Sequence, residues 1–447
     1  MASEAIHTEI HQEASETPQQ QHVEDEVIIN IEKRIQDCGD GDLIEDCCIY
    51  KVPITIRGLK EEAYTPIVVS IGPFHYRNER LQDMEKHKQI VFKRFIQKAI
   101  SSLDDLVHFV RHFEPKIRAS YSDTIRLTEQ ELVEMTLIDV GFIIEFFLML
   151  DKEPVVADIN DAKLSQPWLV DSILYDLILL ENQLPFFIIE GIFNKAFCHD
   201  RCSSLPSFLT CACEVFKSII PPNLELTSII KIRHFTDLLR LFYLQGRMPR
   251  RHPYLAEVGF SNIPSYNANA LQEAGIKLKI STNSTSSCLL DIKLSGHSLE
   301  IPQIYVNFRT EILFRNMIAL EMCHYPNVCY ITDYALALDS LIDTHKDVDL
   351  LIEKEIVKSI LPDSNEVVRL FNGLPNSTLL TTFNVEYRDI CKRLNDYCQN
   401  PRYKMMATLR RDYCNTPWRT VASIAGIILL VLTIVQTIFS ILQGVQN

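Results

Sequence analysis

Residues 421–442, VASIAGIILLVLTIVQTIFSIL, constrain this chain more than any other stretch, because twenty-two consecutive residues carry no charge. As a helix rising about 1.5 Å per residue they cover about 33 Å, enough for the hydrocarbon core of a bilayer. Buried helices of soluble cores seldom exceed about 14 uninterrupted apolar residues. The stretch is therefore expected to be a single transmembrane helix, followed only by a short tail at 443–447 and preceded by a juxtamembrane linker at 415–420. Arg402, Lys404, Arg410, Arg411 and Arg419 lie before it, whereas Gln443 to Asn447 carry no charged side chain. Positive-inside asymmetry then predicts a cytosolic body. The opening MASEAIHTEI is acidic and lacks the apolar core of a signal peptide, so the expectation is a tail-anchored, single-pass protein of the plasma membrane or endomembranes.

Projected at 100° per residue, Ala422, Ala425, Gly426, Thr433, Gln436, Thr437 and Ser440 share one sector of about 120°, while Ile and Leu fill the rest. Small and hydrogen-bonding residues on one face suit close packing of membrane helices. This face predicts self-association or pairing with another span. The alternative is that Thr, Ser and Gln only bond carbonyls of their own helix.

The remainder is a soluble-type chain. Residues 1–48 hold 13 acids against Lys33 and Arg34, a net charge of −11, which leaves 45 acids and 42 bases for everything after them. A nearly neutral body makes nucleic acid an improbable partner, so the partners expected are the lipid bilayer and other proteins. Residues 1–46, rich in Glu, Gln, Asp and Thr, are expected to form a disordered acidic tail with one short helix near 27–35. Residues 47–414 are expected to form a mainly α, or α+β, globular domain. Its opening segments, IYKVPITIRGL and YTPIVVSIGPFH, are β-branched and punctuated by Pro and Gly, which predicts extended segments and a tight turn at Gly72 and Pro73.

Helical periodicity covers 84–99 and 103–113, with Pro115 ending the second helix. Thr128 and Glu131 form a capping box ahead of Leu132, Met135, Phe142, Ile143, Phe146 and Leu150. Further helices are expected over 172–197, broken at Pro185, and over 226–244, 310–321, 333–344, 347–360 and 385–411. Pro249, Pro253 and Pro264 mark a loop over 246–265. A small antiparallel sheet is expected about 276–306, with a turn at Gly296.

No dinucleotide, P-loop, nucleophile-elbow or zinc-protease motif occurs. The thirteen cysteines are expected to be reduced thiols. Cys198, His199, Cys202, Cys211 and Cys213 lack the paired spacing of a zinc site. His75, Glu85 and His87 resemble a metal set, yet Glu85 and His87 diverge by about 200° on a helix. No catalytic, cofactor-binding or metal-binding residues are assigned. Asp139, Glu145, Asp176 and Glu181 could form the paired carboxylates of a hydrolase; the competing reading makes them buried partners of Arg233, His234 and Arg240. Arg247, Arg250, Arg251 and His252 form a basic cluster suited to anionic lipid or to a solvated loop, and Asn283 and Asn376 head glycosylation sequons.

Taken in order, IYKVP at 49–53, AYTPIVVSIGPFH at 63–75, LQDMEKHK at 81–88, FIIEFF at 142–147 and DLILLENQLPFF at 176–187 resemble the plant domain-of-unknown-function 247 family. EAGIKLK at 273–279, LLDIKL at 289–294, LEIPQIYV at 299–306, FRNMIALE at 314–321 and YCNTPW before the apolar tail extend the resemblance. It implies a plant, single-pass membrane protein without established enzymatic activity, some grass members being linked to pollen recognition. Val140, between Asp139 and Gly141, and the Asn307–Phe308 pair depart from the family pattern. The function expected is a non-enzymatic interaction, signalling or recognition component on a membrane; the alternative is a membrane-bound hydrolase using the buried acids.

Overall fold

The computed structural model describes residues 46–150, 161–197, 206–217, 231–244, 266–281, 290–374, 385–401 and 417–446, with positions 28–31, 33, 219 and 405 besides. The chain divides into two units, Met1–Cys47 and Cys48–Asn447. In the first, residues 28–31 and 33 are helical, as the short helix expected there requires. The rest of the expected acidic tail before Asp46, the 246–265 loop with its basic cluster, both sequons and Cys198, His199 and Cys202 lie outside the described residues.

The second unit is mainly α with a small β part. Three helices, α1 (Gln82–Lys98), α2 (Leu103–Ala119) and α3 (Glu129–Leu150), form its first layer. Helix α3 is apolar nearly all round, so it sits in the middle and takes α1 and α2 against it. Its contact with α1 is close because Gly141 has no side chain; a Cβ there would stand 2.4 Å from the Phe92 ring. The Thr128–Glu131 capping box is formed at its N-terminus, with Glu131 N–H donating to Thr128 Oγ1 at 3.2 Å and Thr128 N–H donating back at 2.9 Å.

Pro115 does not end α2; the helix continues to Ala119 with Pro115 inside it. The lost bond falls on Arg111, which is exposed. Beyond the proline, Ile117 is fully buried and Arg118 donates to Ile125 O at 2.6 Å and Leu127 O at 3.2 Å. These contacts offset a proline cost of about 3 kcal/mol.

Helices α4 (Pro167–Asp176), α5 (Phe186–Phe197), α6 (Phe208–Phe216) and α7 (Phe235–Leu244) complete this half. The α4–α5 break begins at Asp176, well before Pro185, because residues 177–185 turn their polar side chains onto the backbone. FIIEFF and LPFF meet in one aromatic cluster: Phe147 stacks on Phe208 with centroids 5.7 Å apart and meets Phe216 edge-on at 5.6 Å, and Phe186 lies 5.6 Å from Phe208. Such pairs contribute about 0.5–1.5 kcal/mol each beyond burial.

Helix α8 (Ala268–Glu273) leads into β1 (Lys277–Ile280), β2 (Lys293–Ser295), β3 (Ser298–Ile301) and β4 (Ile304–Val306). The β2–β3 hairpin turns at Gly296, whose φ is +60°, as expected. The sheet is not purely antiparallel: β1 pairs with β3 in parallel, Leu278 opposite Leu299. Helices α9 (Thr310–His324), α10 (Tyr330–Leu341) and α11 (His345–Glu353) follow. The helix expected over 347–360 stops at Glu353. Glu355 adopts a left-handed φ of +58°, and Val357–Ser359 becomes β5, parallel to β4. Helices α12 (Ser364–Gly373), α13 (Val385–Gln399) and α14 (Pro417–Gln446) end the chain.

The segments before α1 are the largest departure from expectation. Ile54–Arg57 is one helical turn, and residues 63–72 belong to no sheet; their backbone is held by side chains instead. At the Gly72 turn φ is +74°, and a Cβ would stand 2.3 Å from Gln183 O. Gly72→Ala therefore adds left-handed strain to a backbone clash, and the unfolding free energy is expected to fall by about 3 kcal/mol or more, read from the denaturant midpoint at unchanged m.

Candidate functional site

Asp139, Glu145, Asp176 and Glu181, the four acids that could have formed paired carboxylates, are all buried, and each has a structural partner. Asp176, at the C-terminus of α4, accepts the N–H groups of Ile67, Val68 and Val69 at 2.9, 2.6 and 2.8 Å. Successive N–H groups of a strand point to opposite sides, so three in a row reach one carboxylate only where the chain bends. That is why a β-branched run makes no strand here. Asn182 continues the clamp, accepting from Ile71 N–H at 2.8 Å and donating to Val69 O at 3.0 Å. Asp139 takes Gly72 N–H at 2.8 Å and the Lys88 ammonium at 2.5 Å, and Lys88 also donates to Ser70 O at 2.8 Å.

Burial pushes the carboxyls of Asp139 and Asp176 up to about 6, against the pull of Lys88 on the first and of the backbone donors on the second. Burial alone would lower Lys88, but Asp139 and Glu85 outweigh it and hold the ammonium above its usual range. Glu181 accepts Val52 N–H at 2.8 Å and the Arg57 guanidinium at 2.5 Å, with His75 Nε2 3.4 Å away. Burial raises this carboxyl, yet His75, Val52 N–H and Arg57 together bring it below its ordinary value. Gln183 ties the turn to α7, accepting from Phe235 N–H at 2.9 Å and donating to Leu177 O and Leu179 O. Glu145 is paired with Lys98.

The acids are therefore not the partners of Arg233, His234 and Arg240. Arg240 pairs with Glu321 of α9 at 2.9 Å and lies 4.0 Å from the Tyr325 ring centroid. Arg233 donates to Tyr325 Oη at 2.8 Å, and Tyr325 donates to Asp237 at 2.7 Å. His234 meets Cys48 O through Nε2 at 3.1 Å, so its neutral ring donates there and Nδ1 is left to accept Asp237 N–H at 3.4 Å. Sequence reasoning missed Lys88, Asn182, Gln183 and Glu321; for the last three the signal was a polar residue inside an otherwise apolar run, and for Lys88, on the polar-rich α1, there was none.

Burial pushes His234 down to about 4. A folded pKa below the unfolded value of 6.5 means that stability is full above about pH 6.5 and is lost as pH falls toward 4. Asp139 and Asp176 act oppositely between about 6 and 4, so the variant isolates the histidine. From pH 7 to 4.5, His234→Gln, which retains a donor for Cys48 O, is expected to lose about 2–3 kcal/mol less unfolding free energy than the parent protein. Equal losses, measured by urea titration at both pH values, would contradict the assignment.

His75, Glu85 and His87 do not converge: His87 faces Asp161 at 3.1 Å and Glu85 faces Lys88 at 2.7 Å. Of the cysteine–histidine set, Cys211 is buried on α6, and burial raises the Cys213 thiol to about 11. Among the described residues no three His, Cys, Asp or Glu side chains are placed to hold a metal ion.

Helix α14 contains Thr420–Gln443, a 24-residue stretch of mean hydropathy 2.5, long and apolar enough to cross a membrane, and none of its most apolar window is buried. On its small and polar face, Thr433 donates to Leu429 O at 2.8 Å, Thr437 to Thr433 O at 2.7 Å and Ser440 to Gln436 O at 2.9 Å. The hydroxyls of that face are satisfied within the helix. The Cβ position of Gly426 meets nothing within 4 Å, and Ala422 and Gln436 of the same helix are exposed.

These features define a mainly helical protein whose polar interior is given to holding irregular backbone, with one candidate membrane span among the described residues. The chain belongs to the DUF247 family, described as plant protein of unknown function, whose pattern matches residues 49–432. It is similar to UPF0481 protein At3g47200 of Arabidopsis thaliana, 28% identical over 426 residues and covering 90% of this chain and 88% of that one. It is also similar to putative UPF0481 protein At3g02645 of the same plant, 23% identical over 516 residues and covering 94% and 96%. No solved structure matches the chain.

Proposed function

We propose that this protein is a membrane-anchored, non-enzymatic component of interaction, signalling or recognition, its helical body held at a bilayer by α14. One observation carries the reading: Asp139, Asp176 and Glu181, the acids a hydrolase would use, are occupied by backbone N–H groups and by Lys88 and Arg57. An acid with its oxygens filled by its own fold has little left for substrate or water. The positive charges before the span favour a cytosolic body.

The span also supplies a surface for association. Ala422, Gly426, Leu429, Thr433, Gln436, Ser440 and Gln443 recur at alternating steps of four and three residues, the spacing of a left-handed helix pair. Chemical crosslinking in native membranes is expected to capture a dimer, and Gly426→Leu with Thr433→Leu and Gln436→Leu is expected to reduce it several-fold. An unchanged dimer fraction would remove the span from the association. Proximity labelling of the full-length protein in plant cells, with and without residues 421–447, tests compartment and partners together. Cytosolic neighbours that disappear on truncation fit the proposal. An endoglycosidase-sensitive mass shift would overturn the cytosolic orientation.

A further inference from the structure

Among the described residues before α14, the exposed aromatic side chains are Trp168, Tyr305 and Phe308, at 63, 40 and 67%. They come from separate parts of the chain, yet all lie about one junction. Tyr305 of β4 stands opposite Lys358 of β5, whose ammonium is 5.5 Å from its ring centroid. Side chains two apart on a strand share a face, so Ile360, 70% exposed and donating its N–H to Val306 O at 3.0 Å, continues the face of Lys358. Phe308 follows β4 and lines a cleft with Leu361. The next residue, Arg309, reaches α4: its guanidinium lies 4.7 Å from the Tyr175 ring centroid and 3.5 Å from both Asp171 and Ser172. Trp168 is one turn earlier on that helix, its indole N–H bonded to Gln166. Apolar residues exposed singly are ordinary; several about one junction mark a contact surface.

We propose that this face rests in the headgroup layer of the bilayer that holds α14, with Trp168, Phe308 and Ile360 entering the lipid; the proposal rests on the membrane-anchored reading above. Two arguments choose lipid as the occupant. The first is chemical: membrane–water interfaces collect Trp and Tyr rings, with Lys and Arg beside them extending to water, and here Arg309 and Lys358 flank the rings. Charge makes no further demand, since Lys60 pairs with Glu311, Arg309 with Asp171, and Glu366 and Arg369 stand one turn apart on α12. Neutral lipid therefore suffices. The second is the tether. Residues 400–416 join α13 to α14 and at about 3.5 Å each reach at most about 60 Å. A body of this size has a radius of gyration of about 20 Å, so any face can come down on the bilayer. A tethered surface is met at an effective concentration in the millimolar range, which a free protein partner seldom matches.

The chain has two tryptophans, Trp168 and Trp418, and they separate this proposal from the anchor it rests on. Trp418→Phe leaves Trp168 to report the face; Trp168→Phe leaves Trp418, which is exposed just before the apolar stretch, to report α14. Each full-length variant is reconstituted in phosphatidylcholine vesicles with and without bromine on the acyl chains, which quenches indole fluorescence on close approach. Both tryptophans are expected to be quenched about twofold. Phe308→Ser with Ile360→Ser, both at exposed positions that leave the core intact, is expected to relieve the quenching of Trp168 and not that of Trp418. Quenching of Trp418 without quenching of Trp168 would overturn the docked face and leave the anchor standing, whereas a loss of both would remove the anchor and this proposal with it. A Trp168 shielded from aqueous iodide yet untouched by bromine would identify a protein contact in place of lipid, and quenching of Trp168 that survives the double substitution would show that Phe308 and Ile360 do not share its surface; either result overturns the proposal.

Discussion

Asp176→Ala is expected to lower the unfolding free energy by about 3–5 kcal/mol, because it removes the common acceptor of three consecutive backbone N–H groups. Ile67 is exposed and can turn to water, but Val69 is fully buried and cannot. A loss of that size consumes much of the roughly 5–15 kcal/mol typical of a folded domain, so the yield of folded protein should fall as well. Asp176→Asn keeps an acceptor oxygen in place and is expected to lose about 1–2 kcal/mol. Denaturant titration of both variants in detergent decides it. Equal losses would mean that charge, rather than acceptance, holds the segment, and no loss from the alanine variant would refute the clamp.

The second large effect is expected at Glu321, which caps a helix that is not its own. Cys329, at the N-terminus of α10, provides no side-chain cap, and Glu321 of α9 accepts Ile331 N–H at 3.1 Å, Thr332 N–H at 2.9 Å and Thr332 Oγ1–H at 2.9 Å in its place. The carboxylate thus sits at the positive end of the α10 dipole while also pairing with Arg240. Glu321→Ala strips the cap and leaves a buried guanidinium unpaired, an expected loss of about 4–5 kcal/mol. Arg240→Met leaves the cap standing and is expected to lose about 2–3 kcal/mol. This ordering separates capping from pairing; a larger loss at Arg240 would show that the ion pair alone matters.

The legible parts of this fold were those written by local periodicity. The Thr128–Glu131 cap, the helix α3 that follows it and the Gly296 hairpin all follow from local sequence, and the structure contains each, α3 being buried nearly all round rather than on one face. What failed were inferences that needed a distant partner. Val68, Val69 and Ile71 look like a strand because β-branching is a local signal, yet their N–H groups go to Asp176 and Asn182, more than 100 residues away. Pro115 looks like a stop because its cost is local, whereas Ile117 and Arg118 repay it through tertiary contacts. Val357–Ser359 reads as the end of a helix until β4 is in place to pair with it. The same limit applied to the acids: their burial was readable from the apolar runs around them, but Lys88, Arg57 and the backbone of 63–72 were not identifiable as their partners. The tight packing of α3 on Phe92 does explain the glycine at 141. Nothing in the structure explains why valine stands at 140.

Both large effects concern how the body is built; the role proposed for it depends on α14. The direct measurement is alkaline carbonate extraction of plant microsomes expressing the full-length chain beside a variant lacking residues 421–442. The full-length protein is expected to stay in the pellet and the shortened one to move to the supernatant. Release of the intact full-length protein would contradict the anchor and the function proposed from it.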